Sequence, residues 1–133
     1  MQADLIEKLF IQYPKIFTPK NSIIDCGDGW YEIINSLCNK IQNYIDKEEE
    51  TQTRIFKIRN LYGEMFIEAY TDSVEAIEKF IEEAEQLSTK TCEFTGKPGR
   101  MHCLGSLYHV MSAGYAKQTS FTPHFKHKIP GLG

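Results

Sequence analysis

Apolar residues recur at helical spacing in three stretches of the chain and alternate with polar ones in a fourth. Leu5, Ile6, Leu9 and Phe10 share one face of residues 3–12, and Pro14 stops that run after Tyr13. The strongest helical pattern is IIDCGDGWYEIINSLCNKIQNYIDKEEE. Here Trp30, Ile34, Leu37, Ile41 and Ile45 repeat at steps of three and four, with Ile33 and Cys38 beside them. Asp28, held between Gly27 and Gly29, is placed to cap this helix. In TRIFKIRNLYGEMFIEAY the period falls to two. Phe56 and Ile58 alternate with Lys57 and Arg59, and Met65, Ile67 and Ala69 alternate with Glu64, Phe66 and Glu68. An Asn-Leu-Tyr-Gly turn between the two runs predicts a β-hairpin, with Gly63 supplying the permissive backbone. Asp72 and Glu75 have the spacing of a capping box. They open a helix to about Ser88 that turns Val74, Ile77, Phe80, Ile81, Ala84 and Leu87 inward.

A two-stranded hairpin cannot bury itself, so helices must cover it. The pattern predicts an α+β fold in one domain, with three helices packed on a small antiparallel hairpin. Residues 1–89 form that helical body. After Thr91 the pattern changes to glycine, proline and histidine, with apolar clusters only in LGSLYHVM and at Phe121 and Phe125. Residues 90–133 are expected to be an irregular, loop-rich subdomain with one short hairpin.

Charge is unevenly distributed. From Lys90 onward there are six Lys and Arg against Glu93 alone, a net of +5, so residues 1–89 carry -8 of the chain's formal -3. A basic tail folded over an acidic body accounts for this more simply than an anion-binding surface does, because the positive density is below that of a nucleic-acid footprint. No run approaches the roughly 20 apolar residues of a membrane span, and the N-terminal stretch has no hydrophobic signal core. A cytoplasmic setting is expected, in which Cys26, Cys38, Cys92 and Cys103 are thiols or ligands rather than disulfides.

Candidate chemistry gathers in TCEFTGKPGRMHC, residues 91–103. A structural zinc takes four ligands, normally in closely spaced pairs. Cys92 is followed three residues later by Thr95, a poor ligand; the candidates are Cys92, Cys103, His102, His109, His124 and His127, of which Cys92, Cys103, His109 and one of the tail pair His124 and His127 could make four in space. The reading adopted is no metal and no cofactor, with Gly96-Lys97-Pro98-Gly99 as a turn shaped by its own residues. Leu104, Leu107, Tyr108 and Val110 would then hold the segment by packing. The histidines are possible general bases and Cys92 or Cys103 a nucleophile, but no hydrolase elbow, P-loop or HExxH accompanies them. Among the aromatics, Trp30 and Tyr62 fall on core-facing periods. Phe66 and Tyr70 share a strand face with Glu64 and Glu68, near Arg59, which marks a candidate partner-binding patch.

YPKIF, CGDGWYEIINSLCNKI, IFKIRNLYGEMFIEAY and IEEAEQLSTKTCEFTGKPGR come in an order that resembles a family of small, uncharacterised proteins encoded by bacteriophages and prophages. That family carries a Cys-Gly-Asp-Gly-Trp helix start and a Thr-Cys-Glu-x-Cys-Gly-x-Pro-Gly knuckle. The resemblance covers about residues 10–105 and implies phage origin and a zinc-ribbon-like C-terminus, here degenerate, but no reaction. Two departures stand out: Thr95 in place of the knuckle's second cysteine, and Phe66 where the hairpin usually has an arginine.

The expected function is therefore a phage-encoded, non-catalytic accessory protein that binds and inhibits a bacterial host protein, such as a defence-system component, in the host cytoplasm. Its acidic side comprises Glu48, Glu49 and Glu50 and the exposed face of the third helix, Glu75, Glu78, Glu82, Glu83 and Glu85. The alternative is a degenerate zinc ribbon that binds nucleic acid or a nucleotide through Lys97, Arg100, Lys126 and Lys128. A small nucleotide-handling enzyme using His102 or His109 ranks third.

Overall fold

Burying one stripe of each amphipathic helix and one face of a hairpin requires that they pack together, and the computed structural model shows how. It describes residues 1–18, 21–72 and 74–124; the tail residues Phe125, Lys126, His127 and Lys128 lie outside this range. Helix α1 (Ala3–Gln12) leads into strand β1 (Ile23–Asp25), followed by a single 3-10 turn (Asp28–Trp30) and helix α2 (Tyr31–Glu48). The hairpin is β2 (Arg54–Leu61) and β3 (Glu64–Tyr70), followed by helix α3 (Glu75–Ser88). Beyond it come β4 (Arg100–Leu104), β5 (Leu107–Met111), a short helix α4 (Ala113–Ala116) and β6 (Thr122–Pro123). The α+β class and the three main helices match the sequence pattern.

Two small sheets result, ordered β1-β2-β3 and β5-β4-β6. β1 is a strand that the periodicity missed, because three residues are too few to show a period. It runs parallel to β2, so α2 serves as the crossover that parallel strands require. The main core lies between the first sheet and the helices: Leu9, Ile16, Phe17, Trp30, Ile34, Ile41, Ile55, Ile58 and Ile77 are fully buried.

Some local expectations need correction. The hairpin's inner residues are Ile55 and Ile58, not Phe56 and Ile58. The register slips between Ile55 and Lys57, a β-bulge that leaves Phe56 unpaired and lets two residues three apart face the same core. Tyr62 is 76% exposed rather than buried, because it sits in the hairpin turn with φ 52 beside Gly63 at φ 93. Both central residues of that two-residue turn thus have positive φ, the geometry that suits the twist of a hairpin. Asp28 does not cap α2; its carboxylate accepts from the Gln2 N–H at 2.8 Å, and α2 starts after Trp30 without a side-chain cap. Asp72 and Glu75 form no capping box either, since α3 begins at Glu75 and Asp72 accepts from the Tyr70 hydroxyl at 3.2 Å. Leu87, expected to face the core, is exposed.

The outer edge of β3 would be open to pairing by another strand, but α3 covers it. Ser88 Oγ accepts from the Met65 N–H at 3.0 Å, and Glu85 Oε2 accepts from the Ile67 N–H at 3.1 Å. Glu85 is thus not part of the exposed acidic face. Burial pushes its carboxyl above the ordinary value; the nearby charges of Glu82 and Glu64 add to this, and the Ile67 hydrogen bond opposes it. Folding therefore favours the protonated form, a contribution that is present at low pH and fades as pH rises. Glu85→Gln keeps an acceptor without the charge, so its thermal midpoint relative to the parent is expected to climb between about pH 4 and pH 7. Ser88→Ala leaves the buried Met65 N–H without its acceptor and is expected to cost about 1–3 kcal/mol in urea unfolding.

Candidate functional site at the junction of the two sheets

The two motifs that the sequence sets apart, CGDGW and TCEFTG, fold against each other. Gly29 N–H donates to the Glu93 carbonyl at 2.7 Å, and the Trp30 indole N–H to the Thr91 carbonyl at 3.0 Å. The glycines are required by this approach. A Cβ on Gly29 would lie 2.2 Å from the Cys92 carbonyl oxygen and 2.5 Å from the Gly96 nitrogen; one on Gly27 would lie 2.4 Å from the Glu93 oxygen. All three are backbone atoms, which cannot swing aside as a side chain can. The knuckle itself closes through Cys92 N–H to the Lys97 carbonyl at 2.7 Å and Gly96 N–H to the Cys92 carbonyl at 3.0 Å.

At the centre of the junction is Glu93, only 3% exposed. One carboxylate oxygen accepts from Gly27 N–H at 3.0 Å; the other accepts from Asn60 Nδ2 at 2.8 Å and from His109 Nδ1 at 2.6 Å. Asn60 Oδ1 accepts from the Gly63 N–H at 2.6 Å, which fixes the amide's orientation and gives one Nδ2 proton to Glu93 and the other to the Tyr108 carbonyl at 2.9 Å. A contact of 2.6 Å between imidazole Nδ1 and a carboxylate needs a proton between them, so His109 carries its hydrogen on Nδ1. Its ring is flanked by Phe94 at 5.1 Å and Phe121 at 5.5 Å. β1, β2, the knuckle and β5 all contribute to this one carboxylate.

Glu93 and Asn60 were not singled out from the sequence. The available signal was Glu93 itself, the lone acid of the basic segment, set between Cys92 and Phe94. Of the residues that were, His109 is in the cluster, whereas His102 lies outside it, buried with Nδ1 against the Arg100 carbonyl at 2.8 Å. Cys103 Sγ faces His124 Nδ1 at 3.8 Å. Cys92 is fully buried in a second apolar cluster with Met111, Ala116, Phe94, Tyr115 and Phe121. The proposed ligand set Cys92, Cys103 and His109 is thus dispersed over three environments. Among the described residues no group of three His, Cys, Asp or Glu could hold a metal ion, so the zinc that the resemblance implies does not fit here.

Packing and hydrogen bonding hold the segment, though not through the residues expected. Val110 is buried, but Leu104 and Leu107 are exposed. Phe94 instead stacks on Tyr115, 4.7 Å between centroids and 15° between planes. Burial raises the Cys92 thiol, but hydrogen bonds from the Thr95 hydroxyl and from the backbone N–H groups of Ser112, Phe94 and Thr95 outweigh it and draw the thiol below its ordinary value. Thr95, in place of a ligand, is a hydrogen-bond donor to Cys92. Cys26 behaves oppositely: burial, then the charge of Glu93, push its thiol up to about 12.

The partner-binding candidates fall into separate places. Arg59, Phe66 and Tyr70 do share the outer face of the first sheet. Arg59 stacks on Phe66 at 5.3 Å and its Nε lies 3.5 Å from Glu68. Glu48, Glu49 and Glu50 are exposed where α2 ends, with Glu49 left-handed at its C-cap. Glu78 and Glu82 are exposed on α3, while Lys97 and Arg100 are exposed at the knuckle turn and the start of β4.

Gly29→Ala is expected to cost about 1–3 kcal/mol or more through forced overpacking, with loss of Trp30 fluorescence protection from quenchers. Glu93→Ala leaves Gly27 N–H and one Asn60 proton without acceptors and is expected to cost about 1–3 kcal/mol by urea unfolding.

No protein-family model, curated protein or solved structure matches this chain.

Proposed function

We propose that this chain is a phage-encoded accessory protein that acts by binding, and so inhibiting, a bacterial host protein, with the outer face of the first sheet as its contact surface. The observation that supports this reading is that the helices pack on one face of the sheet and leave the other uncovered. Ile23, Phe56 and Tyr70 are each about half exposed there. Phe66 lies at the other end of the face from Tyr70, opposite Arg59 and held by it. Aromatic and arginine side chains are the groups that most often anchor protein interfaces.

The chemistry of the face favours a protein over a nucleic acid. Lys57 pairs across the ladder with Glu68, Asp25 with Arg59, and Arg54 lies opposite Tyr70. Positive and negative side chains therefore alternate, which suits a mixed protein surface and gives no track for phosphates. Phage origin and the host setting rest on the motif resemblance, and inhibition follows from them as the use of a compact protein whose sequence carries no catalytic motif. No helix of the described residues is long and apolar enough to cross a membrane.

Affinity capture from a bacterial lysate, run in parallel with the parent, Phe66→Ala, Tyr70→Ala and a Lys97→Glu/Arg100→Glu double variant, tests this. The expected result is one protein retained by the parent and by the double variant, with each aromatic variant weakening the complex about tenfold or more. Loss of binding only in the double variant, with capture that strengthens as salt falls, would replace this reading with nucleic-acid binding through the basic segment.

A further inference from the structure

The junction of the two sheets carries an open cleft as well as a buried carboxylate. It measures about 470 Å³ and lies between Asp25–Gly27, Asn60, Tyr62, Glu93, Phe94 and the β5 segment from Leu107 to His109. Small-molecule sites fall at about 300–1,000 Å³ and combine apolar walls with a few convergent polar groups. A second concavity of about 460 Å³ lies between α2 and α3, but its polar side chains are all exposed or half-buried. Of these two, the junction cleft is the one with a buried polar cluster at its base.

His109 is the group that this cluster leaves available. Its Nδ1 proton is committed to Glu93, and Glu93 is further satisfied by Gly27 and Asn60. Nε2 has no hydrogen-bond partner among the described residues and is not one of the buried unpaired atoms, so it is open to solvent. The side chain is 26% exposed. In the neutral form of the ring, with Nδ1–H turned to Glu93, Nε2 is an acceptor of set direction. Around it stand the rings of Tyr62, Phe94 and Tyr108. The charged side chains of the lining are Asp25 and Glu93, with no Lys or Arg among them.

We propose that this cleft binds a small, uncharged aromatic molecule that donates an O–H or N–H to His109 Nε2 and lays its ring against the tyrosines. The two carboxylates outnumber the one ammonium of the lining, that of Met1, which is held by the Cys26 carbonyl; this disfavours anions, so a nucleoside or phenol fits the lining better than a nucleotide does. The site is independent of the sheet face, since neither Phe66 nor Tyr70 lines it.

The experiment is a titration of ¹⁵N-labelled protein with adenosine, phenol and AMP, following the side-chain nitrogens of His109 by NMR. Adenosine or phenol is expected to shift Nε2 saturably while Nδ1 stays protonated, and AMP to bind about tenfold or more weaker than adenosine. Tyr62 lies in an exposed turn, so Tyr62→Ala is expected to keep the thermal midpoint and weaken binding about fivefold or more. Tyr62→Ala leaves the Glu93 cluster undisturbed, since Tyr62 supplies none of its hydrogen bonds. No saturable shift with either uncharged probe, AMP binding as tightly as adenosine, or unchanged affinity in Tyr62→Ala would each overturn the proposal.

Discussion

The close approach of two backbone segments, Gly27–Trp30 and Thr91–Gly96, is the contact on which the rest of the molecule depends. It brings the Glu93 carbonyl into a hydrogen bond with Gly29 N–H and sets the Cys92 carbonyl and the Gly96 nitrogen so close that no side chain can be accommodated at Gly29. It also carries Glu93 into the interior, where burying a carboxylate without partners would cost several kcal/mol. Gly27, Asn60 and His109 supply those partners. Each comes from a different part of the chain, so the buried carboxyl group is satisfied only when the loop after β1, the hairpin and β5 are all in place. The fold after residue 90 is thereby fixed to the fold before it by polar contacts, with Trp30 packed beneath and its indole N–H tied to Thr91.

The same contact shapes the TCEFTG loop, which has the look of a zinc knuckle but only one cysteine. In a metal site, thiolates and the ion set the turn. Here Gly96 at φ 77 shapes it, Thr95 and three backbone N–H groups surround the Cys92 sulfur, and the stack of Phe94 on Tyr115 covers it. These local contacts share the work of holding the loop with its docking onto the two glycines.

The long elements were legible from residues because their periods are long enough to count. Trp30, Ile34, Leu37, Ile41 and Ile45 mark α2 without help from elsewhere, and all five are buried. β1 was not legible: three residues have no period, and what makes Ile23–Asp25 a strand is the parallel neighbour that α2 delivers. The bulge at Phe56 defeated the alternation for a similar reason, since a one-residue insertion moves Ile55 onto the face that a regular strand assigns to Phe56. Both caps were misplaced because a carboxylate near a helix start can find another donor, as Asp28 finds Gln2. The junction was hidden most completely. CGDGW and TCEFTG each stood out alone, but nothing in either one states that the other is its partner, and Asn60 looks like an ordinary turn residue. The cleft and the open sheet face follow from that assembly. One is made where the two sheets meet, and the other is left over where the helices do not reach.

Native-state hydrogen exchange tests the central claim most directly, by following the Gly27 and Gly29 amides, the Trp30 indole N–H and the Cys92 and Gly96 amides in low denaturant. If the junction holds the two parts as one unit, these protons exchange only by global unfolding, with the stability and denaturant dependence of buried α2 amides such as Ile41. Exchange of the knuckle and glycine amides through a local opening with little denaturant dependence, while α2 stays protected, would contradict it.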